Sequence, residues 1–199
     1  MKKFNVVLFD DFETLDVFGS VEVIGKLPKR YAIEYYSLKG GIVVGGQNVK
    51  IITLPFSELQ SSDILLIPGG MGTRVLINDV VFIEEIRRLI ENAEFVLSVC
   101  TGAALLAKTG LLNGKHVTTN KMAWKFVTAH GVDILWDKSA RWVKDDKYYT
   151  SAGVSAGIDM TLGFIADIHG IETARSITKY IEYVWNENDK DDKFAYLVN

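Results

Sequence analysis

The sequence predicts an α/β protein with a mainly parallel central sheet covered by helices on both faces. Three observations predict it. Short runs that are apolar almost throughout, such as Phe4–Phe9 (FNVVLF) and Asp63–Ile67 (DILLI), read as strands buried on both sides. Helical patterns lie between these runs, the alternation that parallel strands require of their connections. Glycine-containing turns follow strand ends, at Pro68-Gly69-Gly70 and at Thr101-Gly102.

The elements follow in order. Phe4–Phe9 is the first strand, and Leu15–Leu27 has apolar residues at spacings of three and four, a helix. Tyr31–Leu38 is the next strand. Gly40-Gly41 and Gly45-Gly46 bracket Ile42–Val44, which suggests a small hairpin, with Val49–Leu54 as a further strand. Asp63–Ile67 ends at the Pro-Gly-Gly turn. Asp79–Asn92 is an amphipathic helix with acids early and Arg87 and Arg88 late, as the helix dipole favours. Phe95–Val99 is a strand running into Cys100, and Ala103–Lys108 a short helix after it. Val117–Thr119 and Tyr148–Ser151 are short strands. Ser155–Ile168 and Thr173–Trp185 are the last helices, and the polar Asn186–Lys193 reads as a loop or frayed end whose acids are solvated.

Composition limits the rest. A chain of 199 residues, 48% hydrophobic and 24% charged, is expected to form one domain, residues 1–199, with an ordinary core. A net charge of −3 argues against nucleic-acid binding by bulk electrostatics. The single cysteine excludes an internal disulfide and a cysteine-based zinc site, and no HExxH or DxDxDG pattern points to another metal. The apolar run after Met1-Lys2-Lys3 stops at Asp10-Asp11, too soon for a signal peptide, and no stretch approaches the roughly 18–20 apolar residues of a membrane span. A cytoplasmic protein without membrane or nucleic-acid partners is expected, and nothing calls for a cofactor.

Chemistry concentrates at strand ends. A lone cysteine is usually a small buried apolar residue. Cys100 instead ends a strand and immediately precedes a turn and a helix, an elbow that presents a nucleophile to the cleft of an open sheet. The helix N-terminus is expected to lower its thiol pKa. Pro68-Gly69-Gly70-Met71-Gly72 is on its own a tight turn, yet its N–H groups are placed to stabilise developing negative charge. Asp10, Asp11, Glu13 and Asp16 follow the first strand. Helix capping suits Asp11 and Glu13, while one of the four acids is in position to exchange a proton with Cys100. His116, His130 and His169 carry no sign of pairing with the thiol. Most of the Trp and Tyr residues read as packing groups in a core or dimer face.

Taken together, FDDFETLDVFGSVEV at the start, ILLIPGGMG near residue 70, LSVCTGAALLAKTGLLNGKHVTTN around Cys100 and TSAGVSAGIDMTLGFIAD near residue 160 resemble the ThiJ/PfpI superfamily over about Phe4–Trp185. The resemblance implies a three-layer sandwich of the flavodoxin-like, class I glutamine amidotransferase-like kind, and usually a homodimer. The peptidase-like branch has a histidine after the cysteine, whereas Thr101 stands here. Cys100-Thr101-Gly102 and Ala156–Asp159 look more like the isonitrile hydratase group, and like the corresponding domain of AraC-type regulators, whose helix-turn-helix region finds no room before Asn199. Carried over, Cys100 is the nucleophile and Asp16 its acid/base partner. Gly70 and Met71 line the site through backbone N–H groups, and Thr101 flanks the thiol. Two positions depart from the pattern: Ser20 where proline is frequent, expected to alter only the helix start, and Asn120 where histidine is frequent. Asn120 hydrogen-bonds but carries no proton near neutrality.

Three functions follow from this reading. The first is a cysteine-dependent hydratase or hydrolase of a small molecule, isonitrile hydratase-like. The second is a glyoxalase- or deglycase-like activity on reactive carbonyls. The third is a redox or metabolite sensor built on an oxidisable thiol.

Overall fold

The computed structural model describes residues 1–198. Ten strands and seven α-helices follow one another in the alternation the sequence predicts. The strands are β1 (Lys2–Val7), β2 (Tyr31–Ser37), β3 (Gly41–Val44), β4 (Lys50–Pro55), β5 (Ser62–Ile67), β6 (Ala93–Val99), β7 (His116–Val117), β8 (Leu135–Trp136), β9 (Trp142–Asp145) and β10 (Tyr148–Ser151). The helices are α1 (Thr14–Gly25), α2 (Thr73–Leu76), α3 (Val80–Glu91), α4 (Gly102–Lys108), α5 (Trp124–Thr128), α6 (Ala156–His169) and α7 (Ile171–Tyr180).

The main sheet has the order β3-β4-β2-β1-β5-β6-β10-β9. Its six inner strands are parallel, and β3 and β9 close the two edges antiparallel. Helices α1, α6 and α7 pack together, as do α2, α3, α4 and α5, giving the three layers. The inner strands are buried on both faces: Phe4, Val6, Val7, Ile64, Leu65, Leu66, Val96 and Leu97 are all inaccessible. Asp79 caps α3 by accepting from Phe82 N at 3.1 Å, and the helix buries Phe82, Ile86, Leu89 and Ile90 at helical spacing. Strands β1, β5 and β6 are neighbours and parallel, so the segments that follow them meet at one rim of the sheet.

Three local expectations are corrected. The last helix ends at Tyr180 rather than Trp185. Glu182 takes a left-handed φ of 50°, and Tyr183 Oη, Trp185 Nε1 and Asn186 N instead donate to Asp159 of α6. Tyr180 and Val184 are consequently exposed, while Trp142, Tyr148 and Tyr149 are core. The polar tail is not frayed, since Arg141 N donates to Asp189 O at 2.7 Å and the Asp192 side chain is buried beside Arg141 and Lys121. Ser20 lies in the middle of α1, where its Oγ accepts from Thr161 Oγ1 of α6 at 2.9 Å, so it acts on helix–helix contact rather than on the helix start.

Candidate active site

Strand β6 ends at Val99, and Cys100, which follows it just before the turn that opens α4, takes a left-handed backbone with φ 56°. A non-glycine residue held there stores strain that only surrounding structure maintains. Cys100 N donates to Ala152 O at 3.1 Å, and Cys100 O accepts from Thr119 Oγ1 at 2.7 Å, fixing both sides of the elbow. Behind it Gly102, Ala103 and Ala104 are buried against the sheet, and a side chain at Gly102 would strike Ile67 O. The thiol is 6% exposed and opens on a cavity of about 340 Å³ whose wall includes Glu13, Gly70, Met71, Arg74 and Asn120.

Of the four acids after β1, Asp16 and Glu13 are near enough to act on the thiol, Asp16 the more strongly, and only Asp16 is buried. Asp10 accepts from Val44 N, Asp11 is exposed with φ 60°, and Glu13 accepts from Gln47 at the cavity wall. Asp11 and Glu13 do not cap α1 with their side chains. Asp16 sits inside α1 facing the sheet and is inaccessible. Its Oδ2 accepts from Gly69 N at 2.8 Å, while Oδ1 has no protein partner. Burial pushes its carboxyl up to about 8, helped by the negative charge of Glu13 and opposed by the Gly69 N–H and the Cys100 thiol.

The Cys100 thiol is also pushed up, first by burial and then by the Asp16 charge, against donation from Asn120 and Thr101 N–H. This corrects the expectation of a lowered thiol pKa. One short helix terminus does not outweigh desolvation beside a carboxyl. The two groups form a pair that resists carrying two charges and holds its protons at neutral pH.

Gly70 and Met71 differ in what they offer. Gly70, with φ 129°, leaves no room for a side chain against Asp11 O and Glu13 N. Its N–H is occupied, donating to Thr101 Oγ1 at 3.0 Å, and Thr73 Oγ1 lies 3.1 Å from the same hydroxyl. Thr101 therefore ties the glycine turn to the elbow. Met71 lends its side chain to this wall, while its N–H faces Asp11 O across the antiparallel bridge that joins Phe12 and Gly70.

Asn120 is the residue whose part the sequence left unassigned. Its Oδ1 accepts from Ala123 N at 2.9 Å, which fixes the amide so that Nδ2 donates to Cys100 Sγ at 2.9 Å. Its only advance signal was its occupation of a position where relatives often carry histidine. Arg74 was also missed. It stands at the cavity wall with its guanidinium 4.6 Å over the Phe126 ring. None of the three histidines lines this cavity, and among the described residues no three His, Cys, Asp or Glu side chains gather as metal ligands. Nor is any helix long and apolar enough to cross a membrane.

The chain is similar to several known proteins. The chain is 30% identical over 178 residues to an isonitrile hydratase of Pseudomonas putida, covering 89% of this chain and 76% of that protein. It is 24% identical over 135 residues to a glutathione-independent glyoxalase of Caenorhabditis elegans, covering 68% of this chain and 70% of that one. A crystal structure of a ThiJ/PfpI family protein from Pseudomonas syringae superposes with a TM-score of 0.83 at 24% identity, over 97% of this chain and 77% of that one. The profile described as the DJ-1/PfpI family matches residues 2–167, which contain the elbow, the acid and the glycine turn, and the chain belongs to that family.

Proposed function

We propose that the protein is a cysteine-dependent hydratase of small molecules, with isonitriles as the substrate class. One observation carries this reading: a strained, donor-lined cysteine beside a carboxyl that burial keeps protonated near neutral pH. The similarity to an isonitrile hydratase supports it.

The chemistry balances with these groups alone. As Sγ bonds to the terminal carbon of R–N≡C, Asp16 gives its proton to that carbon and takes up the thiol proton, leaving a thioimidate, R–N=CH–S–Cys100, and a protonated Asp16. Water then adds to the same carbon. One of its protons passes through Asp16 to nitrogen, the C–S bond of the resulting R–NH–CH(OH)–S–Cys100 breaks, and the hydroxyl proton passes to sulfur, regenerating the thiol and releasing R–NH–CHO. Asn120 Nδ2 and Thr101 N–H hold the negative sulfur as it forms and as it leaves.

The test is turnover of an alkyl isonitrile to its formamide by the wild type and by Cys100→Ser. The serine variant is expected to fold normally and lose activity by about a thousandfold or more. Full turnover by that variant sinks the nucleophile assignment. The similarity to a glyoxalase favours a second reading, in which the same thiol forms a hemithioacetal with a dicarbonyl. Consumption of methylglyoxal but not of isonitriles selects it. A redox sensor fits less well, since a buried thiol with a raised pKa is slow to oxidise. Sedimentation checks the homodimer that the family resemblance implies.

A further inference from the structure

Beside the cavity that holds Cys100 lies a second hollow of about 340 Å³. The two share Asn120, Met122 and Val154 in their walls. The two hollows are therefore adjacent, with Asn120 at their common wall. Leu15 of α1 closes one side of it, and Phe194 and Leu197 of the C-terminal segment close another.

The hollow is apolar where it is open. Its charged residues, Lys121, Arg141 and Asp192, are buried and face one another, with Lys121 Nζ 3.8 Å and Arg141 Nη1 3.7 Å from the Asp192 carboxylate. The exposed lining residues are Leu15, Met122, which is 80% exposed, Phe194, which is 50% exposed, and Leu197, with Ser155 as the one polar group among them. Phe194 is held in place there. Asp192 N donates to Ser139 O at 2.8 Å, Phe194 N donates to Asp192 Oδ1 at 3.1 Å, and Leu197 N donates to Phe194 O at 3.0 Å. An anchored segment that presents apolar side chains over a hollow beside a reactive thiol suits a ligand that covers them. Phe194 and Leu197 also lie outside the stretch that matches the family profile, residues 2–167, so this wall is a feature of this chain rather than of the profile.

We propose that this hollow is a substrate subsite. It receives an apolar substituent of about the size of a benzyl group, carried by the molecule whose reacting carbon meets Cys100, and Phe194 and Leu197 set that preference. The proposal rests on the Cys100 reading above. Its test does not require turnover.

The experiment is calorimetric titration with N-benzylformamide and N-methylformamide, which share the product's formamide head and differ in the substituent. The wild type is expected to bind the benzyl compound at least about tenfold more tightly. In Phe194→Ala/Leu197→Ala that ratio is expected to fall to within about twofold of unity. Tyr196→Ala, on the same segment but outside both cavity walls, keeps the wild-type ratio. Equal affinities in the wild type overturn the subsite. So does an undiminished ratio in the double variant, or a ratio that falls as far in Tyr196→Ala. Isonitrile turnover is scored separately, so failure of the hydratase reading and failure of the subsite are told apart.

Discussion

Two buried carboxylates, Asp16 and Asp159, sit about as deep as one another and are treated in opposite ways. Asp159 accepts from Arg141 at 2.9 Å, from Tyr183 Oη at 3.0 Å and from Asn186 N at 3.1 Å. Asp16 accepts from one backbone N–H and leaves Oδ1 without a protein partner. Asp159 has a cation and a full set of donors, so its charge is compensated and it joins α6, β9 and the C-terminal segment. Asp16 has no cation, and its environment favours the proton instead. The difference separates a carboxylate used for architecture from one available for chemistry.

The largest expected effect lies on the architectural side. Arg141→Met leaves Asp159 and Asp192 buried without their guanidinium. Breaking such a pair by removing one partner typically costs about 3–5 kcal/mol, which denaturant unfolding measures directly. The Cys100 elbow is fixed by Ala152 and Thr119, not by Arg141, so the variant's thiol should still be alkylated at close to the wild-type rate at temperatures where it remains folded. A variant as stable as the wild type removes the contrast between the two carboxylates.

On the chemical side the sign reverses. The folded-state pKa of Asp16 is raised from 3.8 to about 8. As pH rises through about 4 the unfolded chain releases this proton while the folded chain keeps it, so stability falls across the window from about 4 to about 8 and levels off above it. Asn does not titrate. Asp16→Asn is therefore expected to match the wild type near pH 4 and to be the more stable of the two near pH 8, read from denaturant midpoints at both pH values. Hydratase turnover is expected to fall by about a hundredfold or more. A variant that is both less stable and fully active would give Asp16 the role assigned here to Asp159.

What the sequence revealed tracks how local each cause is. The strand runs, the hairpin at Gly41–Val44 and the elbow at Cys100 were legible because neighbouring residues specify them. Asp16 could not be singled out from Asp10, Asp11 and Glu13 by composition; the family resemblance pointed to it, and its inward place on α1 is what separates it from the others. Among the acids of the tail, Asp192 read as solvated because its partners, Lys121 and Arg141, are distant in the chain. The Gly70 N–H read as free for the same reason, since its acceptor, Thr101 Oγ1, is 31 residues away. The raised thiol pKa escaped because a helix terminus is visible in a sequence and desolvation is not.

Asn120 tests the smallest term in the comparison, the donors that offset burial at the sulfur. Its amide is pinned by Ala123 N, so its donation to Sγ costs little reordering when the thiolate forms. Asn120→Ala removes that donor while Asp16 and the elbow stay, and the thiol pKa is expected to rise further. A hydrogen bond to an ionised group contributes about 1.5–3 kcal/mol, so alkylation of Cys100 at fixed pH should slow by about tenfold or more. Asn120→His tests the same position differently. Imidazole donates as asparagine does and also titrates near pH 6.5, so the alkylation profile should gain an inflection there that the wild type lacks. An alkylation rate indifferent to Asn120→Ala would mean that the thiol's reactivity is set by Asp16 and Thr101 alone, and that the 2.9 Å contact orients the loop rather than the chemistry.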